Sequence, residues 1–278
     1  MSRKDGHSHT EFCPHGSGDD VEQMIQKAIK MGFTQYCVTE HAPLPDSFKD
    51  HYAGVETGLT EAAMSKTDIG RYLVKIAALK QKYRSQIHIK VGFEIDYLPT
   101  EVEWTKAFMA EYGPQTDENI LSLHFLQGVN DKFWCVDDTP EDFQKGLMAR
   151  YFDPQDLYAK YLSTLLTAVR EDWRSPSLKR IGHLTLFKKF QDIFGLPNEL
   201  SDDNKRLMGA VLATIKAQGF EIDYNAAGLY KPSCNEAYPD WWTVQQAKAM
   251  GIPLVYGSDA HSVAEVGQGI HDIETRIN

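Results

Sequence analysis

The segment IGRYLVKIAALKQKYRSQIHIKVGFEID, at residues 69–96, decides the fold. Its first part, residues 69–83, places apolar side chains at helical spacing and predicts an amphipathic helix. Residues 87–96 are rich in β-branched and aromatic side chains and predict a largely buried strand. A helix that leads into a buried strand is the repeating unit of a parallel α/β fold.

The same alternation continues in both directions from this segment. Predicted strands lie at residues 4–9, 33–41, 87–96, 119–125, 179–186, 220–228 and 252–261, and predicted helices lie at residues 18–32, 69–83, 101–112, 154–171, 203–219 and 239–251. About seven βα units predict a parallel sheet, either open and doubly wound or closed into a barrel. No linker interrupts the series, so we expect one domain over residues 1–278. The insertion at residues 43–67 is a candidate flexible lid.

Composition limits the class of protein. The chain has 278 residues and a formal net charge of −10, which argues against nucleic acid as a partner because phosphate backbones are bound by clustered Lys and Arg. No apolar run approaches the roughly 20 residues of a membrane span, and no signal peptide is recognisable. We therefore expect a cytoplasmic protein with no membrane partner. The four cysteines are widely spaced, which predicts reduced thiols.

Isolated polar residues recur near the ends of the predicted strands. His7 and His9 lie on one face of the first strand, because residues two apart in a strand point the same way. The other members of this pattern are His15, His41, Glu94, His124, His183, Asp259 and His261. Each alone has a structural explanation in core packing or ion pairing. Together they predict a metal site, because parallel α/β folds build sites at strand carboxyl ends and buried charges need a partner or a metal.

Seven segments carry a resemblance to a known family. They are GHSHTEFCPHG (6–16), VTEHAPLP (38–45), VGFEIDY (91–97), ILSLHF (120–125), IGHLTL (181–186), DYNAAGLYKP (223–232) and YGSDAH (256–261). In this order the chain resembles the polymerase and histidinol phosphatase (PHP) family. The resemblance implies a distorted TIM-like barrel of about seven βα units. It also implies metal-dependent hydrolysis of a small-molecule phosphate ester, L-histidinol phosphate, to L-histidinol and phosphate.

Carried over residue by residue, the resemblance implies three divalent transition-metal ions. The first would be held by His7, His9, Glu94 and Asp259, the second by Glu94, His124 and His183, and the third by His15, His41 and His261. Imidazole-rich ligation suits zinc, iron or manganese better than magnesium or calcium. Glu94 is expected to bridge two ions whose shared hydroxide attacks phosphorus, and Asp259 or metal-bound water would protonate the leaving alkoxide.

Substrate-binding residues are predicted from charge and position near the strand ends. Arg180 and Lys231 are candidates for phosphate, Glu40 for the ammonium or imidazole group, and Phe12 for an aromatic wall. Further candidates are Glu11, Asp96, Lys188 and Lys189, and packing or solvation is the alternative for every one of them. Two other functions stay open, a nucleotide or DNA-end phosphoesterase and a non-catalytic metal-binding module. The sequence does not determine the oligomeric state.

Overall fold

The computed structural model describes residues 3–277. Its strands are β1 (Lys4–Asp5), β2 (Gln35–His41), β3 (His88–Asp96), β4 (Asn119–Ser122), β5 (Phe125–Gln127), β6 (Phe133–Cys135), β7 (Leu178–Ile181), β8 (Glu221–Asn225) and β9 (Leu254–Gly257). Within residues 3–277, seven strands pair in parallel in the order β1-β2-β3-β4-β7-β8-β9. β5 and β6 form a separate antiparallel hairpin that the sequence analysis did not predict.

Helices occupy the connections between the parallel strands. They are α1 (Val21–Lys30), α2 (Thr57–Thr60), α3 (Ile69–Tyr83), α4 (Val102–Tyr112), α5 (Pro140–Asp142), α6 (Pro154–Arg170), α7 (Gln191–Phe194), α8 (Asp202–Gln218), α9 (Trp241–Ala249) and α10 (Ile270–Ile277). α1 illustrates how they form: the Asp20 side chain accepts a hydrogen bond from the backbone N–H of Glu22 and caps the first turn. Its apolar stripe, which includes Val21 and Ile25, is buried against the sheet core.

The first and last strands meet and nearly close the sheet into a barrel. The backbone N–H of Gly6 donates to the Tyr256 carbonyl at 2.7 Å, and that of His9 donates to the Ala260 carbonyl at 2.9 Å. The Asp259 N–H returns a bond of 2.9 Å to the His7 carbonyl. The predicted TIM-like α/β barrel is thereby confirmed, and its first and last strands lie side by side.

Three predicted segments differ in detail. Regular pairing of the first strand ends at Asp5, and β7 ends at Ile181, so His183 lies beyond its strand rather than within it. The insertion at residues 43–67 is structured, because Phe48 is fully buried against Phe125 and Phe133 of the hairpin.

The described residues include no helix with the length and apolar character that a membrane span requires.

Gly92 in β3 is required by a close backbone approach. A Cβ atom at this position would lie 1.7 Å from the carbonyl oxygen of Glu118, and backbone cannot move aside cheaply. We predict that Gly92→Ala lowers the free energy of unfolding by about 1–3 kcal/mol, measured by urea denaturation. Gly70→Ala, in open space on α3, should raise it by about 0.5–1 kcal/mol. Equal stability of the two variants would contradict this packing.

Candidate active site

The histidines and carboxylates singled out in the sequence converge at the carboxyl ends of the parallel strands. His7 and His9 leave β1 side by side, with their Nε2 atoms 3.2 Å apart and both side chains fully buried. Asp259 follows β9, and its Oδ1 lies 3.0 Å from His9 Nε2. The contact joins residues from opposite ends of the chain, and the hydrogen bonds that close the barrel make it possible.

Glu94, at the end of β3, lies at the centre of this group. Its Oε2 is 3.1 Å from His7 Nε2 and 3.3 Å from His41 Nδ1. Its Oε1 is 2.8 Å from His183 Nε2 and 3.6 Å from His124 Nε2. The two carboxylate oxygens therefore face two different sets of imidazoles, as the bridging position expected for Glu94 requires.

Five imidazoles share one hydrogen-bond arrangement, in which Nδ1 is tied to an acceptor and Nε2 points into the site. The acceptors are Asp223 Oδ2 for His7 (2.8 Å), Glu40 Oε1 for His9 (3.2 Å), Asp96 Oδ1 for His124 (2.9 Å), the Glu61 carbonyl for His15 (2.7 Å) and the Asp259 carbonyl for His261 (3.0 Å). Because ionised carboxylates and carbonyls only accept, each Nδ1 carries the hydrogen. Nε2 is left as the side that receives a cation, either a proton or a metal ion.

The donor set fits metal ions. Nε2 atoms of His7 and His9 face each other and two carboxylates, and Nε2 atoms of His15 and His261 lie 3.1 Å apart. Such pairs of ring nitrogens repel unless a cation lies between them. Buried His41 Nε2 and His183 Nδ1 have no hydrogen-bond partner among the described residues. Ligand atoms within 4.8 Å of one another form the groups His7, His9, Asp259; Glu94, His124, His183; and His9, Cys13, His41, His261.

The first two groups match the first two ligand sets implied by the resemblance, and Glu94 adjoins the first through His7. The third differs in composition. Cys13, buried at the turn after β1, joins His41 and His261 there, whereas exposed His15 reaches the group through His261. The thiol was not expected among the ligands. Burial raises the pKa of Cys13 strongly, and the charge of Glu40 raises it further.

Electrostatics in the group favour bound cations. Burial opposes the charge on Glu94, but His7, His124 and His41 lower its pKa well below the usual range. Burial likewise disfavours protonated His124, yet Asp96 and Glu94 raise its pKa to about 10. Burial and the charge of His9 lower the pKa of His41 well below its usual value. The ionised form of Glu94 is thus favoured, because positive charge on the surrounding imidazoles stabilises it.

Asp259 has a backbone conformation that few residues adopt. Its φ of 53° is in the left-handed region, which Asp tolerates better than most residues. Asn225 Nδ2 donates to Asp259 Oδ2 at 3.0 Å, and the backbone N–H is bound to His7. These bonds hold the carboxylate toward the cavity, and local strain of this kind clusters at functional sites.

The cluster opens into a cavity of about 390 Å³. Lys231, one of the residues predicted to bind phosphate, lines it, as do Lys189 and Tyr238. Lys189 Nζ donates to the carbonyl and to Oδ2 of Asp137. A lysine ammonium has three donors, so one remains for a ligand. The insertion borders the same cavity through Thr57, Gly58, Glu61 and Ala62.

The structure does not bring Arg180, Glu40 or Phe12 to the cavity, although all three were predicted to bind substrate. Arg180 is fully buried inside the barrel, where it donates to Glu118 and to the Gly6 carbonyl. Glu40 is fully buried and accepts from His9 and Thr10. The Phe12 ring packs on Tyr72 and beneath Arg71 at the outer surface. Each of the three side chains has the charge or ring that was expected, but it contacts other protein groups instead of lining the cavity.

Other candidates are also occupied by structural partners. Asp96 accepts from the backbone N–H and Nδ1 of His124, and Glu11 accepts from Lys75 and from the Val21 N–H. Lys188 is buried between Asp240 and the Asn198 carbonyl.

Asp223 and Asn225 were missed by the sequence analysis. They are two apart on β8, so both point into the barrel, where Asp223 holds His7 and Asn225 holds Asp259. The alternation in DYN at residues 223–225 is the signal that could have found them.

The fold and the site define an α/β barrel protein with a histidine and carboxylate centre at the carboxyl ends of its strands. The chain belongs to the PHP domain family: the PHP domain model matches residues 5–227, and a PHP-associated model matches residues 244–278. Asp259 and His261 lie in the second matched region, so both regions contribute to the site.

Three similar proteins support this placement. A histidinol-phosphatase of Bacillus subtilis (strain 168) is 37% identical over 267 residues, which cover 96% of this chain and 96% of the relative. A crystal structure from Listeria monocytogenes is 40% identical with a TM-score of 0.94, and covers 97% of this chain and 99% of that chain. The histidinol phosphate phosphatase of Lactococcus lactis, in complex with zinc, L-histidinol and phosphate, shares the fold at 18% identity with a TM-score of 0.74, over 99% of this chain and 92% of that chain.

Removal of Asp223 should loosen the His7 ring without touching the cavity. We predict that Asp223→Ala lowers transition-metal affinity about 10-fold to 100-fold, because His7 loses the acceptor that orients its ring. Competition against a fluorescent chelator measures the change. The control is Asp203→Ala, whose side chain is 87% exposed on α8 and should leave affinity unchanged. Unaltered affinity in Asp223→Ala would show that this hydrogen bond is dispensable.

Proposed function

We propose that this chain is a metal-dependent phosphomonoesterase that hydrolyses L-histidinol phosphate to L-histidinol and phosphate. The observation that carries the proposal is the convergence of imidazole Nε2 atoms on Glu94 and Asp259 in a cavity that also presents Lys189. Such a centre suits a dianionic phosphoryl group. The substrate is suggested by the Bacillus subtilis relative, whose similarity extends over 96% of both chains.

We propose three divalent ions at this centre, with zinc, iron or manganese as the candidates. The ligands would be His7, His9, Glu94 and Asp259 for the first, Glu94, His124 and His183 for the second, and His15, His41 and His261 for the third. Nitrogen-rich donor sets select these metals over magnesium and calcium. When bound, the ions would polarise the phosphoryl oxygens and activate water.

The residues around the centre have separate roles in this proposal. Glu94 would contribute a ligand to both inner positions, because each of its oxygens faces a different set of imidazoles. Asp259 accepts a hydrogen bond from Asn225 and lines the cavity, and it would move a proton between water and the departing histidinol oxygen. Lys189 and Lys231 would bind the phosphoryl group by charge. Tyr238 lines the same cavity, and its ring would pack against the imidazole of the substrate.

We propose that residues 1–278 act as one domain, because β9, from the PHP-associated region, pairs with β8 and completes the barrel. We also propose that the protein works in the cytoplasm. The four cysteines, which are all free and buried in the structure, are compatible with a reducing compartment. No nucleic-acid or membrane partner is part of the proposal.

The central carboxylate gives the sharpest test of the metal centre. Glu94→Gln keeps the shape but removes the negative charge, so we expect loss of at least one metal ion per chain by elemental analysis. We also expect kcat to fall by at least about 1,000-fold, since the centre stabilises charge in the transition state. His51→Ala, a partly exposed histidine near Glu101, should keep full activity and metal content. Chelation should abolish activity, and added zinc, manganese or iron should restore it. Full activity of the metal-free protein would contradict the proposal.

Substrate preference tests the reaction itself. A centre that only binds phosphate would hydrolyse many esters equally, whereas remote contacts to the rest of the substrate raise kcat/KM selectively. Two charge-assisted contacts of about 1.5–3 kcal/mol each predict at least a 100-fold preference for L-histidinol phosphate over p-nitrophenyl phosphate or a sugar phosphate. Steady-state kinetics with these esters, a nucleotide monophosphate and single-stranded DNA measure it. A higher kcat/KM on a nucleotide would instead favour the nucleotide phosphoesterase.

A further inference from the structure

Most carboxyl groups in the cavity wall already have a partner. The lining includes Glu61, Glu94, Asp96, Asp137, Asp138, Asp259 and Glu265. Glu94, Asp96 and Asp259 contact histidines, Asp137 accepts from Lys189, and Glu265 accepts from the His261 N–H. Asp138 and Glu61 have neither a hydrogen bond nor an ion pair from their carboxylates within the described part of the chain. These two are therefore available to a ligand.

Asp138 is solvent-exposed and lies among the charged groups of the cavity wall. It follows Asp137 directly; burial and the charges of Asp137 and Asp142 raise its pKa, whereas the charges of Lys189 and His15 lower it. The nearby ammonium of Lys189 is engaged by Asp137 on two bonds. Helix α2 packs closely on the other side, since a Cβ on Gly58 would lie 2.9 Å from Asp138 Oδ2. The carboxylate thus lies at the cavity wall without a hydrogen bond or ion pair among the described residues.

Two buried imidazoles also line this cavity. His41 is 7% exposed and His183 is 2% exposed, and each keeps one ring nitrogen without a partner among residues 3–277. The wall is also polarised: Lys189 presents positive charge beside the histidine centre, and Asp138 presents negative charge beside the insertion. A molecule with a phosphoryl group and a nearby ammonium group matches that order of charges.

We propose that Asp138 binds the ammonium group of the substrate and makes the enzyme selective for phosphate monoesters that carry a protonated amine close to the phosphoryl group. This inference rests on the proposed function. The carboxylate would accept charge-assisted hydrogen bonds from the ammonium, while the histidine centre and Lys189 hold the phosphoryl group. Asp138 would act on specificity, because it touches the substrate at a distance from the bond that breaks.

The test compares L-histidinol phosphate with its des-amino analogue, the same ester with hydrogen in place of the ammonium group. The wild type should prefer the amine by about 10-fold to 100-fold in kcat/KM, which is the range for one or two charge-assisted bonds. Asp138→Asn should lose most of that preference and keep its activity on the analogue within about 3-fold. Asp138→Ser serves as a second variant, and thermal unfolding and metal content should match the wild type in both.

Two further variants distinguish a specific effect of Asp138 from a general effect of removing negative charge. Glu141→Gln removes the same charge from an exposed neighbour and should leave the preference intact. Glu61→Gln removes the other free carboxylate of the cavity, and if this variant alone lost the preference, the inference would be overturned. Equal losses on both substrates in Asp138→Asn would overturn it as well. A wild type that ignores L-histidinol phosphate but hydrolyses another ester would instead contradict the proposed function.

Discussion

The whole site depends on one buried negative charge, the Glu94 carboxylate at the end of β3. A buried carboxylate without compensation costs several kcal/mol, so the barrel must supply partners for both of its oxygens. It does so with imidazoles from different connections and with the Ser122 hydroxyl, which donates to Oε1 at 2.6 Å. Those imidazoles in turn need acceptors such as Asp223. The polar interior therefore extends outward from Glu94 in successive layers, and no layer is stable without the next.

The sequence predicted those features that depend on the periodicity of apolar residues and on the position of polar residues along the strands. Apolar stretches at helical or strand spacing predicted the alternation of elements, and polar residues interrupting them predicted which strand ends meet. His7 and His9 were recognisable because a spacing of two places both on one face. Because parallel strands all present their carboxyl ends at one edge, the sequence also predicted that Asp259 would come near them, although closure of the barrel was only one of two possibilities.

The partners of individual side chains could not be predicted in the same way. Arg180 and Lys189 are both cationic residues near the same strand, yet one points into the barrel below the centre and the other into the cavity. Arg180 lies on β7, whereas Lys189 follows a short helical turn after that strand, so strand alternation does not determine where Lys189 points. Glu40 likewise carries a carboxylate that could bind a substrate, but one of its oxygens accepts a hydrogen bond from the His9 ring. Tertiary neighbours decide these roles, and a single sequence does not contain them.

The exposure of His15 gives the proposed metal positions unequal access to water. Glu94, His7 and His9 are buried beneath the cavity, whereas His15 is exposed at its rim and its partner His261 is only partly covered. An ion held at the rim can leave by breaking contacts on one side, while an inner ion must first part from buried ligands. Exchange with the surroundings should thus be fast at the outer position and slow within. The metal at the outer position would then reflect the purification buffer. The metals at the inner positions would reflect the cell in which the protein was made.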